Sequence, residues 1–125
     1  MDLNITNTKV LTIQEIEDIQ YLDGFSLTEK AYMDYISTIK DCSNINYEDA
    51  KKKIIRNLLL SNEAHTNRVE KHKRLYYYGN LSIGLNTREM SIYFIKNYIQ
   101  TDYKFKLDIE KRRVLNVIMG IKEDK

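Results

Sequence analysis

The segment from Arg74 to Leu85 constrains the fold of this chain more than any other. Two β-prone runs flank Gly79-Asn80, and a two-residue loop of that kind closes a tight I′ or II′ hairpin and fixes its register. Pairing Tyr78 with Leu81 sets Tyr76 opposite Ile83 and Arg74 opposite Leu85. One face of the ribbon then carries Tyr76, Tyr78, Leu81, Ile83 and Leu85. The other carries Leu75, Tyr77, Ser82 and Gly84. A one-residue slip would invert both faces, so the more apolar first face is expected to be the buried one.

The residues before this hairpin read as helices. Residues 1–11 show no period and are expected to form a loosely held arm ahead of a single domain over 12–125. Thr12-x-x-Glu15 is a capping box. It opens a helix along Ile13, Ile16, Ile19 and Leu22, with Gly24 as a left-handed stop. Ser26-x-x-Glu29 predicts a second start, with Leu27, Ala31, Tyr35 and Ile39 on one stripe, ending near Asp41-Cys42-Ser43-Asn44. Asn46 predicts the cap of a third helix, with Glu48 and Asp49 at its positive end. Ala50, Ile54 and Leu58 mark the buried side of that helix, and Lys51, Lys52, Lys53 and Arg56 the wet side.

The residues after the hairpin are more ambiguous. Asn86-x-x-Glu89 predicts a helix reaching about Gln100 through Met90, Tyr93, Phe94, Ile95 and Tyr98, although Ser91–Ile95 is also good strand material. Tyr103, Phe105 and Leu107 alternate with lysines, which is strand-like. Asp108 predicts the cap of a final helix with Val114, Leu115 and Ile118 inward and Gly120 as its stop; a second hairpin over Arg113–Met119 competes there. The fold class is therefore α+β: a mainly helical N-terminal half, a tight antiparallel hairpin, and one or two C-terminal helices.

Charge is distributed unevenly. The net charge of +2 over 125 residues conceals three lysines against ten acids in residues 1–50, and seventeen basic residues against eight acids in the remainder. A basic half of that kind suits a polyanionic partner, whereas mutual attraction of the halves is the purely structural account. Four clusters carry the positive charge: Lys51–Lys53 with Arg56, Arg68 with Lys71–Arg74, Lys104 with Lys106, and Lys111–Arg113. The single cysteine, Cys42, excludes an intramolecular disulfide and fits a reducing cytoplasm, where a structural thiol is its ordinary role. No apolar run approaches a membrane span, and Met1-Asp2-Leu3-Asn4 lack the basic start and apolar stretch of a signal peptide, so none is expected. Asn4-Ile5-Thr6 and Asn80-Leu81-Ser82 are chance glycosylation patterns. The richness in Ile, Lys, Asn and Tyr suits an AT-rich genome, or a virus or plasmid living in one.

Motif chemistry is sparse. His65 and His72 stand seven apart, about 10 Å along a helix, too far to share one ion. With no Cys-x-x-Cys or His-x-x-x-His, no metal site is expected. No phosphate-binding glycine loop exists either, and no cofactor is expected. His72, Arg74 and Tyr76–Tyr78 match the residue types of metal-free ribonucleases, but a solvated basic surface explains them as well. Tyr35, Tyr76 and Tyr93 read as core, and Tyr77 as a surface tyrosine able to stack on a base.

The order helix, helix, basic segment, hairpin, helix is compatible with a winged helix, with residues 62–73 in the major groove and the hairpin as the wing. A ribbon-helix-helix unit over residues 81–119 ranks below it. The leading expectation is a small cytoplasmic nucleic-acid-binding protein, DNA in preference to RNA, acting as a regulator from a mobile element and not as an enzyme. Its contacts are expected at Arg68, Lys71, His72, Lys73, Arg74 and Tyr77. The second expectation is an inhibitor or accessory protein whose acidic half docks on a basic protein surface. A metal-free ribonuclease is third. A homodimer is compatible with each.

Overall fold

The computed structural model describes residues 11–39, 44–63, 71–97 and 105–122. Helix α1 spans Ile13–Asp23, strand β1 Ser26–Leu27, α2 Glu29–Thr38, α3 Tyr47–Leu60, β2 Asn62–Glu63, β3 Lys73–Tyr78, β4 Leu81–Asn86, β5 Ser91–Asn97 and α4 Ile109–Met119. Residues 1–10 of the expected arm, Asp41, Cys42 and Ser43, and the stretches holding His65, Arg68, Tyr98, Gln100, Tyr103 and Lys104 lie outside the described residues, while α2 ends at Thr38, short of the expected stop near Asp41–Asn44.

Local chemistry starts three of the four helices where the sequence predicts. Thr12 Oγ1 accepts from the Glu15 N–H at 3.1 Å, and the Glu15 carboxylate accepts from the Thr12 N–H at 2.9 Å, closing the capping box. Asn46 Oδ1 accepts from Asp49 N–H at 2.8 Å, and Asp108 Oδ1 from Lys111 N–H at 3.0 Å. Gly120 ends α4 in the left-handed conformation at φ 69°. The cap of α2 is Thr28 and not Ser26. Ser26 and Leu27 are drawn into the sheet instead, where Ser26 N–H donates to Met90 O at 2.8 Å and Thr28 N–H to Ile92 O at 3.1 Å. Gly24 ends α1 in the right-handed region at φ −77°, because the chain bends directly into Phe25 and β1 without needing a left-handed reversal.

The sheet runs β1-β5-β4-β3-β2, antiparallel except for the β1–β5 pair. The hairpin has the predicted register, Tyr78 with Leu81, Tyr76 with Ile83 and Arg74 with Leu85, and Gly79 turns it at φ 59°. Residues 91–97 form β5 and not the expected helix. Asn86 Oδ1 does accept from the N–H groups of Arg88 and Glu89, both at 3.0 Å, but Met90 turns to φ 54° and sends the chain back along β4. The Asn86 cap thus serves a tight turn. A ribbon-helix-helix unit is thereby excluded. Phe105–Leu107 is irregular and not a strand, and α4 replaces the competing second hairpin.

Helices precede the hairpin as a winged helix would have them, but strand β5 follows it where a helix was expected, and β3 and β4 are interior strands of a five-stranded sheet, so a winged helix is not shown. The expected groove-reading segment begins as strand β2, paired with Tyr76 and Tyr77.

The core lies between one sheet face and the helices. Leu81, Ile83, Leu85, Ile92 and Ile95 meet Phe25, Ala31, Tyr35, Ala50, Ile54 and Leu58, all buried. Removing each of these leucine, isoleucine or phenylalanine side chains from water stabilises the fold by about 1.5–3 kcal/mol. Tyr47 closes the rim, its hydroxyl donating to Leu27 O and accepting from Leu27 N–H, both at 2.9 Å.

Two apolar stripes are less buried than their spacing predicts. Ile13 is 76% exposed and Ile16 is also exposed, because α1 touches the core through its last turn at Leu22. Ile118 is exposed as well, leaving Leu115 as the buried anchor of α4. Arg56, expected on the wet side of α3, is 2% exposed, since α4 covers it. Its Nη1 donates to Asn116 Oδ1 at 2.9 Å, while Nε and Nη2 donate to Asn57 Oδ1.

Candidate nucleic-acid interface

Strand alternation splits the predicted basic cluster between two sheet faces. Arg74, Tyr76 and Tyr78 share the helix-covered face with Ile83. Lys73, Leu75 and Tyr77 share the outer face with Ser82 and Gly84, and the β4–β5 register adds Phe94 beside Gly84 and Lys96 beside Ser82. Lys73 and Tyr77 are therefore brought together with residues that the sequence had assigned to a helix, and Arg74 is separated from them.

Tyr93 is the pivot of this outer face. A bulge between Gly84 and Leu85 shifts the β4–β5 register, and a bulge re-aims the side chain beside it. The Tyr93 ring then lies close over Gly84: a Cβ added to Gly84 would stand 3.2 Å from two ring atoms of Tyr93 and 2.9 Å from Phe94 Cβ. Glycine is required here for space and not for a positive φ. Tyr93 and Phe94 rings stand 6.2 Å apart between centroids, tilted by 43°. Lys73 Nζ lies 5.3 Å from the Tyr93 centroid, within cation–π range. Tyr93, read from the sequence as core, is thus half-exposed on the outer side, because the bulge turns it away from the helices.

Tyr77, Phe94, Lys73 and Leu75 are also half-exposed, and Lys96 is exposed. Ser82 is fully buried between its neighbours Tyr77 and Lys96, and its Oγ meets no hydrogen-bond partner among the described residues. The outcome is an aromatic strip with an ammonium group on either side.

The other predicted contacts are placed differently. Lys71 is exposed in the turn before β3. His72 is half-buried there, and its carbonyl accepts from Thr87 N–H at 2.8 Å and Thr87 Oγ1 at 3.1 Å. Among the remaining cations, Lys51 donates to Asp23 O at 2.9 Å, Lys111 pairs with Glu15 at 2.8 Å, and Arg56 is internal. These three serve the fold. No group of three or more metal-ligating side chains occurs among the described residues, and none of their helices is long and apolar enough to cross a membrane. Tyr93, Phe94 and Lys96 were missed because their strand was read as a helix; the β-rich run Ser91–Ile95 was the available signal.

A five-stranded sheet with helices over one face and an aromatic, lysine-flanked strip on the other defines a small α+β protein. The chain belongs to the YorE family, whose model matches residues 25–118, from Phe25 in the core to the last turn of α4. It is 36% identical over 115 residues to the "SPbeta prophage-derived uncharacterized protein YorE" of Bacillus subtilis (strain 168), covering 83% of this chain and 88% of that relative. That relative's prophage origin supports the mobile-element origin inferred from composition. No solved structure matches.

Proposed function

We propose that this protein binds nucleic acid through the outer face of its sheet, taking a single strand of DNA in preference to a duplex. The observation that carries the reading is Lys73 over the Tyr93 ring, with that ring seated on Gly84. An aromatic side chain on an open sheet offers a π-face to any base, worth about 1–3 kcal/mol per stacked base. Lys73 and Lys96 stand where a backbone crossing the strip would pass, and each phosphate they neutralise releases counterions. A flat sheet suits splayed bases better than it suits a duplex groove, which admits a helix or a two-stranded ribbon. The protein acts in the cytoplasm as a binding protein and performs no catalysis. In a mobile element such a protein serves regulation or the handling of exposed strands.

A protein partner is the second reading, and one observation favours it. Ile109, Val117 and Ile118 on α4 and Ile13 and Ile16 on α1 are exposed apolar side chains, and grouped exposed apolar surface marks contact sites. Titrating isotope-labelled protein with a short single-stranded oligonucleotide separates the two. Amide shifts concentrated on β3, β4 and β5 support the nucleic-acid reading. Absence of shifts at low salt removes it and leaves the α1–α4 surface as the site to pursue.

A further inference from the structure

A cleft of about 540 Å³ opens on the opposite side of β3 from the aromatic strip, between α1, the end of α3, and strands β3 and β4. Its floor is apolar, made by Leu22, Leu58 and Leu85, all buried core residues. Thr87 lines its edge, and four further polar groups come in two pairs fixed by backbone geometry. Asp18 and Tyr21 are three apart on one face of α1, and Arg74 and Tyr76 are two apart on one face of β3. Opposite charges thus line one cleft above an apolar floor, each beside an aromatic ring on a rigid element.

From these groups we infer that the cleft is a binding site for a purine mononucleotide, guanine in preference to adenine. The volume falls within the roughly 300–1,000 Å³ of small-molecule sites, a scale suited to a nucleotide. The leucine floor and the two tyrosines offer surfaces for a flat ring. Gln14 Nε2 donates to Asp18 Oδ1 at 2.9 Å and steadies the carboxylate. Asp18 Oδ2 meets no donor among the described residues and is available to a ligand. A carboxylate accepts from two adjacent N–H donors, which guanine presents at its ring N–H and exocyclic amino group, whereas adenine presents its amino group beside an acceptor. Arg74 supplies the planar cation that recognises phosphate. This site is separate from the sheet strip, and either can exist without the other.

Saturation-transfer and titration NMR with guanosine monophosphate, adenosine monophosphate, guanosine and inorganic phosphate test it on the full chain. The expected order is guanosine monophosphate first, with inorganic phosphate alone not binding. Arg74→Gln should weaken the monophosphate about tenfold and leave guanosine unchanged, as loss of a charge-assisted contact implies. Asp18→Asn should erase the guanine preference. Leu59→Trp, at a half-buried cleft residue, should fill the space and abolish binding while the melting midpoint reports that the protein is still folded. No binding of any nucleotide at about 5 mM, far beyond useful affinity, overturns the proposal. So does binding that survives Leu59→Trp. An oligonucleotide titrated against the Leu59→Trp protein reads the sheet strip by itself, so failure of one site does not conceal the other.

Discussion

Arg56 Nη1 donates to Asn116 Oδ1 at 2.9 Å across the α3–α4 contact, with the guanidinium almost wholly buried. The two residues stand sixty positions apart, and their contact is one of the ties that hold the last helix onto the third. A buried guanidinium deprived of an acceptor retains its desolvation cost. Asn116→Ala should therefore destabilise the protein by about 1–3 kcal/mol, more than a surface Asn→Ala change. Denaturant unfolding checks it; an unchanged midpoint would mean that the Arg56–Asn116 contact does not help to hold α4.

Two glycines of the hairpin are constrained for different reasons, and their variants separate the two causes. Gly79 has φ 59° with nothing within 4 Å of an added Cβ. Gly79→Val should cost about 1–3 kcal/mol through backbone strain alone. Gly84 has crowding without a positive φ, and Gly84→Ala should cost about 1–3 kcal/mol by displacing Tyr93 and Phe94. Thermal melts give both magnitudes. The Tyr93 ring resonances should shift in Gly84→Ala and not in Gly79→Val; the same shift in both would contradict the seating of Tyr93 on Gly84.

Glu15 joins the start of α1 to α4. The Lys111 ammonium at 2.8 Å, and then the Thr12 N–H, hold its carboxyl below the ordinary value of 4.5. A carboxyl whose pKa is lower folded than unfolded adds stability that is complete above the unfolded value and is lost as pH falls through the folded one. Glu15→Gln should therefore lower the melting temperature near neutral pH, and its deficit against the wild type should shrink below about pH 4.5. A deficit that stays constant into strong acid would contradict this ion pair.

The sequence made legible what is set by neighbours along the chain. Thr12, Asn46 and Asp108 cap helices within three residues of themselves, and the two-residue turn at Gly79-Asn80 dictates the whole β3–β4 register. What depends on distant residues was not legible. Asn86 makes a cap-like contact in either a helix or a turn, and the choice falls to Met90 and to β4 waiting as a partner. Arg56 looks like a wet-side residue until Asn116 arrives. Of the predicted contacts, Lys73 and Tyr77 share the outer face, whereas Arg74 faces the cleft; Tyr93, Phe94 and Lys96 join them only once β5 is known to be a strand.

The affinity of a labelled single-stranded DNA at several salt concentrations tests the central claim most directly. Wild type, Tyr93→Leu and a Lys73→Ser/Lys96→Ser double variant would be compared by fluorescence anisotropy. Wild type should bind at low salt with a linear log–log salt dependence. The double lysine variant should lose about 1.4 units of slope, two phosphate contacts at roughly 0.7 each for a single strand. Tyr93→Leu should weaken binding by the equivalent of about 1–3 kcal/mol with the slope unchanged. No binding by the wild type at low salt, or variants that bind with the wild-type affinity and slope, would contradict the sheet face as a nucleic-acid interface.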